Sequence, residues 1–232
     1  MQNNESDEAK KLTTLLEMNK VLSGTLNLQH SLHRVLEILE QRHGMFRSTV
    51  MLLEGNSELR VAAANGVAAE GQRAVYRLGE GVNGRVAESG KPIVVPQVSR
   101  EPLLLHRIAP RKGMKEESSY ICVPIPTGRK TIGALGVNLR FRKARDFDPI
   151  VQFLRVAAGM IGQAVRVEHL VEAETHRLVE ENIHLRQELR TRYDFSNMIG
   201  SSGGMRQVYE QIAQVAATNT TVLIRGESGT GK

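Results

Sequence analysis

The residues best suited to do chemistry stand together at the end of the chain: Gly226-Glu227-Ser228-Gly229-Thr230-Gly231-Lys232. Glycines at this spacing let successive backbone N–H groups turn toward one anion, and a lysine ammonium beside them neutralises further negative charge. That chemistry suits nucleotide phosphates. Lys232 would contact the β and γ phosphates, Gly229, Thr230 and Gly231 would donate backbone N–H groups, and Glu227 and Ser228 would shape the turn. The apolar run from Thr220 to Arg225 reads as a buried strand leading into the loop, the order that separates a phosphate loop from a chance match. The residue after the lysine, the helix that would face the phosphates and any magnesium-holding acid are not among these residues. The chain therefore reads as a piece of a longer protein, and this piece alone is expected to hydrolyse no ATP.

The preceding 225 residues must position that loop or govern it. A hydrophobic content of 41% supports ordinary globular cores and argues against disorder throughout. The N-terminus, Met1-Gln2-Asn3-Asn4-Glu5-Ser6-Asp7-Glu8, lacks the basic and apolar regions of a signal peptide, and no purely apolar run of membrane length is evident. A cytoplasmic protein without a membrane anchor is the expectation. One cysteine, Cys122, allows no intrachain disulfide and cannot alone build a metal site. In its apolar strand it reads as a small packed hydrophobe. The net charge of +6 is spread along the chain and gives only weak support for a polyanionic context.

Residues 1–22 place Leu12, Leu15, Leu16 and Leu22 at roughly helical spacing, which predicts a short amphipathic helix of the kind that packs against a partner copy. Asn27 is placed to cap a second helix carrying Leu28, Leu32, Val35, Leu36 and Leu39, and Gly44 to end it. Strand-like runs follow at 45–53, 58–64, 74–78, 92–95, 119–125 and 131–139, giving an antiparallel sheet of five or six strands. Between the third and fourth, Gly79-Glu80-Gly81-Val82-Asn83-Gly84 matches a dinucleotide fingerprint, with Glu101 twenty residues beyond Gly81. The helix after it can run only to about Ser89 before Gly90 and Pro92, too short for a nucleotide-binding crossover, so that reading is rejected. Residues 97–117 form a long polar loop of the kind that often closes over a ligand.

From Asp148, read as a cap, and Pro149, a helix presents Ile150, Phe153, Leu154, Ala157, Ile161, Ala164 and Val165 on one face. It continues into a charged segment where Val171, Leu178 and Leu185 recur every seven residues, with Leu189, Thr175 and Asn182 between them, a coiled-coil pattern. His169, His176 and His184 on this segment do not share one i, i+4 pair, so no metal site is expected. The basic run Arg140-Phe141-Arg142-Lys143-Ala144-Arg145 is the ordinary end of an edge strand. After the turn formers Phe195 to Gly204, Met205 to Ala217 reads as helical.

Two stretches resemble a known family. Tyr193 to Ser202, Met205-Arg206-Gln207-Val208-Tyr209 and Thr220 to Lys232 resemble the opening of the AAA+ ATPase domain of bacterial activators of sigma-54 RNA polymerase, and among these the NifA group that activates nitrogen-fixation genes. Gly79 to Val98, Tyr120 to Ile125 and Ile132 to Val137 resemble a GAF domain, a small-molecule sensor fold. The resemblance implies an α/β chain: residues 1–22 as an N-terminal helix, 23–166 as an α+β GAF domain, 167–194 as a helical linker and 195–232 as the start of the P-loop domain.

It also implies ATP as the bound nucleotide, with Mg2+ in the complete protein. Further implications are transcription regulation through sigma-54 RNA polymerase, a C-terminal helix-turn-helix on promoter DNA, and homo-oligomers dimerised through the sensor and linker helices. A protein of the nitrogen signalling system is a further expected partner. An effector such as 2-oxoglutarate would need cationic donors near an apolar cavity, and His106 and Arg107 on the long loop are the candidates. Other pathways, such as alternative nitrogenase or formate metabolism, and a small-molecule kinase are the competing readings.

Overall fold

The structure is a computed structural model that describes residues 2–24, 27–55, 57–102, 117–192, 200, 202–216 and 218–226, the side chains of 2–6 and 186–192 excepted. The chain divides into two compact units, Met1–Val171 and Glu172–Lys232.

The first unit is built on a six-stranded antiparallel sheet. Its strands are β1 (Phe46–Glu54), β2 (Glu58–Asn65), β3 (Val75–Arg77), β4 (Ile93–Val95), β5 (Ser118–Thr127) and β6 (Lys130–Arg140), in the spatial order β3-β2-β1-β6-β5-β4. β5 is almost continuously apolar because both of its faces are covered. Ile121, Val123 and Ile125 point to one side and Tyr120 and Cys122 to the other, each set joining a different core. β4 pairs only with Tyr120 to Cys122, so Pro124 and Pro126 fall where β5 has no outer neighbour, the position at which a strand tolerates proline.

One core lies between the sheet and two helices, α2 (Leu28–His43) and the long helix α5 (Asp148–Arg192). Asn27 caps α2 by accepting a hydrogen bond from the His30 N–H at 3.0 Å, and Gly44 ends it at φ 65°, both as the sequence predicts. On α5 Val151, Phe153, Leu154, Ala157, Ala158, Ile161 and Val165 are buried, close to the predicted face. Asp148 is the first helical residue and not the cap; its N–H is held instead by the Asp146 carboxylate at 3.1 Å. By length and composition Asp148–Leu185 is long and apolar enough to cross a membrane, and its apolar stretch from Val151 to Val165 is the part that covers the sheet.

The first helix, α1 (Gln2–Ser23), packs on α2 through Thr14, Leu15, Met18, Val21 and Leu22. The sequence expectation grouped Leu12, Leu15, Leu16 and Leu22 on one face, whereas Leu12 and Leu16 are 61% and 57% exposed. The polar contacts of α1 decide the rotation. Ser31 Oγ donates to the Val21 carbonyl at 3.2 Å, Glu17 pairs with Arg42 at 3.1 Å, and His43 Nε2 lies 3.0 Å from Thr14 Oγ1. Satisfying the part-buried Thr14, Ser31 and His43 groups turns Thr14 inward and the two leucines outward.

His43 also meets Phe153 in a tilted ring contact, centroids 4.8 Å apart and planes at 51°. Burial, reinforced by Lys10, Lys11 and Arg42 and opposed by Asp7, lowers its pKa below the ordinary histidine value. A depressed folded-state pKa means that the unfolded chain binds the proton more readily. The stabilisation is therefore complete above the unfolded value, near 6.5, and is lost as pH falls through the folded value beneath it. Thermal melts across mildly acidic pH should show stability falling below about pH 6.5, and His43→Gln should flatten that slope; an unchanged slope in the variant would assign it to other groups.

The opposite core is smaller. It lies beneath α4 (Gly81–Ser89), the helix after β3, and also takes in residues flanking α3 (Ala69–Gln72) and the 3-10 turn Val98–Arg100. The fingerprint glycines find their explanation here. Gly79 and Gly81 adopt φ of 78° and 61°, and a Cβ on Gly84 would lie 2.1 Å from the Arg77 carbonyl oxygen. They make a tight turn that presses α4 onto the end of β3, and α4 is only nine residues long, so no dinucleotide crossover forms.

In the second unit, α6 (Gly203–Val215) is capped by Ser202, whose Oγ accepts from the Met205 N–H at 3.3 Å. Residues 218–226, expected as a buried strand from Thr220 to Arg225, have no regular structure, and Val222, Leu223 and Ile224 are 54%, 73% and 74% exposed. A strand is held by ladder hydrogen bonds to a neighbour, and no described residue pairs with this segment.

Candidate functional site

Of the seven phosphate-loop residues only Gly226 is among those described, and it is exposed; Glu227, Ser228, Gly229, Thr230, Gly231 and Lys232 lie outside them. His106 and Arg107 lie outside the described residues too.

What the structure does assemble is a buried polar group on the α4 side of the sheet. Alternation along β5 sends Tyr120 and Cys122 to this face, and Gly136 on β6 pairs directly with Cys122. The Tyr120 hydroxyl donates to Asn83 Oδ1 at 2.6 Å, and the Cys122 thiol donates to the same oxygen at 3.4 Å. Asn83 belongs to the inward face of α4 with Val82, Val86 and Ala87. Sequence reasoning missed Asn83 because it sits inside the glycine pattern; its spacing to Val86 and Ala87, three and four residues on, is the signal that places it inward. The Tyr120 ring passes so close to Gly136 that a Cβ there would meet its hydroxyl oxygen at 2.0 Å.

Burial raises the Tyr120 pKa well above the usual phenol value and pushes the Cys122 thiol up to about 12. Both groups are therefore neutral donors, and Cys122 is no thiolate nucleophile. Alkylating reagents at mildly alkaline pH should leave Cys122 unmodified in the folded protein and label it promptly in denaturant; rapid labelling of the folded protein would contradict the packing described.

Both ends of the long loop meet this face. Val98 shares the Tyr120 core. The Glu117 carboxylate accepts from the Ser99 and Ser118 backbone N–H groups, each at 3.2 Å, and from Gln97 Nε2 at 3.4 Å. The bonds from Ser99 in particular hold Glu117 below the usual carboxylate range. Ser119 Oγ donates to the Pro96 carbonyl at 2.7 Å, so residues 96–99 are fastened to the start of β5. On the linker part of α5, the residues Val171, Leu178 and Leu185 are each about half exposed, and His169, His176 and His184 lie on exposed turns.

Comparison with known proteins gives the same two parts. Residues 25–166 match the GAF domain family, and residues 198–232 match the sigma-54 interaction domain. A Nif-specific regulatory protein of Herbaspirillum seropedicae is 37% identical over 227 residues, which is 95% of this chain and 41% of that protein. The nitrogen fixation protein AnfA of Azotobacter vinelandii is 34% identical over 225 residues, 96% of this chain and 42% of that protein. The chain thus spans about two-fifths of the length of the curated relatives it matches. Among solved structures, the A. aeolicus nlh2 GAF domain in an inactive state superposes with a TM-score of 0.62 at 24% identity, over 69% of this chain and 98% of that one.

Proposed function

Because this chain belongs to the GAF domain family, we propose that it is the sensory part of a sigma-54-dependent activator of nitrogen-fixation genes. The observation that carries the reading is order: a GAF fold over residues 25–166, one uninterrupted helix from Asp148 to Arg192, and then a sigma-54 interaction match that ends in the phosphate loop. In the complete protein, ATP with Mg2+ is held by Gly226 to Lys232, and its hydrolysis remodels the promoter complex of sigma-54 RNA polymerase in the cytoplasm. Promoter DNA is bound by a separate helix-turn-helix.

The sensor governs that step. An effector, a small carboxylate such as 2-oxoglutarate, binds on the α4 side of the sheet, where the loop carrying His106 and Arg107 begins and ends. Asn83 joins α4 to the sheet through Tyr120 and Cys122, so a ligand that moves α4 must rearrange a buried hydrogen-bonded group between discrete positions. The chain dimerises through α1 and the linker helix, where Leu12, Leu16 and Leu178 are more than half exposed. A nitrogen-signalling protein is a further input.

A second reading is an activator for another pathway, such as alternative nitrogenase; relatives named a Nif-specific regulatory protein and a nitrogen fixation protein, at 37% and 34% identity, do not separate the two. A small-molecule kinase has no such support, since the phosphate loop falls within the sigma-54 interaction match. Reporter transcription decides among them. The complete gene should restore expression from a sigma-54-dependent nitrogen-fixation promoter in a strain lacking its own activator. Expression that is absent, or that persists without sigma-54, would refute the reading.

A further inference from the structure

At the hairpin end of the sheet, away from Asn83 and Tyr120, a groove of about 920 Å3 opens between the C-terminal end of α4, the β5–β6 hairpin and the first turns of α5. Its lining mixes polar residues with aliphatic ones, Leu78, Pro126 and Val156 among them, and Val156 is 51% exposed. Its rim carries Arg129, Lys130 and Arg155, all exposed, against a single carboxylate, Glu88. Among the described residues none of these three cations has an ion-pair partner. The walls are fixed in advance. Thr127 Oγ1 donates to the Gly162 carbonyl at 3.3 Å, and a Cβ on Gly162 would lie 2.0 Å from the Pro126 carbonyl oxygen, so the hairpin is seated directly on α5. A Cβ on Gly90, at the end of α4, would stand 3.2 Å from Thr131 Oγ1.

We propose that this groove is a docking site for an acidic segment of a partner protein, whose carboxylates meet Arg129, Lys130 and Arg155 while an aliphatic side chain covers Val156 and Pro126. Charge complementarity selects the occupant: a groove lined by three unpaired cations against one carboxylate repels basic segments and attracts acidic ones, and its aliphatic lining residues leave room for an apolar side chain. The lining holds no aromatic residue on which bases could stack, which favours a polypeptide over a polynucleotide. Pre-formed walls leave little ordering cost on binding. The inference uses only the fold of the first unit. It does not rest on the proposed role in transcription, so failure of one leaves the other standing.

The test is selection of a displayed random-peptide library on the full chain, followed by affinity measurement with the enriched peptides. The expected winners carry several Asp or Glu residues beside an aliphatic residue. Lys130→Glu with Arg155→Glu should weaken them by tenfold or more, on the order expected for reversing charges at a small interface. Val156→Asn should also weaken them, and Arg73→Glu, outside the groove, should not. Lys130→Gln with Arg155→Gln, a milder variant whose thermal melt is checked against the parent, should give an intermediate loss. Enrichment of peptides without carboxylates, affinity unchanged in both double variants, or displacement of the peptides by a single-stranded oligonucleotide would each overturn the proposal.

Discussion

Gly162→Ala should destabilise the first unit by a net 2 kcal/mol or more, roughly 5 °C in a thermal melt. Helix propensity alone predicts the opposite, since replacing glycine by alanine inside a helix gains about 1 kcal/mol. The contact decides the sign. A Cβ at Gly162 would sit 2.0 Å from the Pro126 carbonyl oxygen and close to Ile125, and neither the strand nor the helix can retreat without opening the core around Ile125 and Ile161. Gly159, three residues earlier on the same helix, has nothing within 4 Å of its Cβ position. Gly159→Ala should therefore stabilise by about 0.5 to 1 kcal/mol. Equal responses of the two variants would show that the hairpin does not sit on α5 as described.

Gly136→Ala should cost about 3 kcal/mol by a different route. Here the obstruction is a side chain, the Tyr120 ring, with its hydroxyl oxygen 2.0 Å and its Cζ 2.8 Å from the added methyl. A flexible side chain would swing aside. Tyr120 is 5% exposed and holds Asn83 at 2.6 Å, so moving it breaks a buried hydrogen bond as well. Tyr120→Phe alone should cost about 1 to 2 kcal/mol, because Asn83 Oδ1 keeps only the weaker thiol donor. Combining the two removes the nearest clashing atom. The double variant should be less destabilised than the sum by about 1 kcal/mol or more, and additivity would mean that the phenol does not lie over Gly136.

Much of this fold was legible because the governing signals are local. The six strands follow from apolar runs punctuated by Gly, Pro and Asn, and the ends of α2 follow from Asn27 and Gly44. What could not be read depends on contacts between elements distant in sequence. Leu12 and Leu16 look like core residues until His43 and Ser31 draw Thr14 and the Val21 carbonyl inward. Asn83 passes for a spacer in a glycine motif until Tyr120, 37 residues on, supplies its hydrogen bond. The strand expected from Thr220 to Arg225 shows the limit most plainly: its composition suits a buried strand, but a strand exists only through the neighbour that pairs with it. The phosphate loop is an expectation from residue types alone, and Glu227 to Lys232 lie outside the described residues.

We propose that a GAF-type sensor controls nucleotide turnover at the loop ending in Lys232. ATP hydrolysis by the protein expressed from its complete reading frame, measured with and without 2-oxoglutarate and a nitrogen-signalling partner protein, tests it most directly. Turnover should disappear in Lys232→Ala and shift when either input is added to the parent protein. Turnover that survives Lys232→Ala, or that responds to neither input, would contradict it.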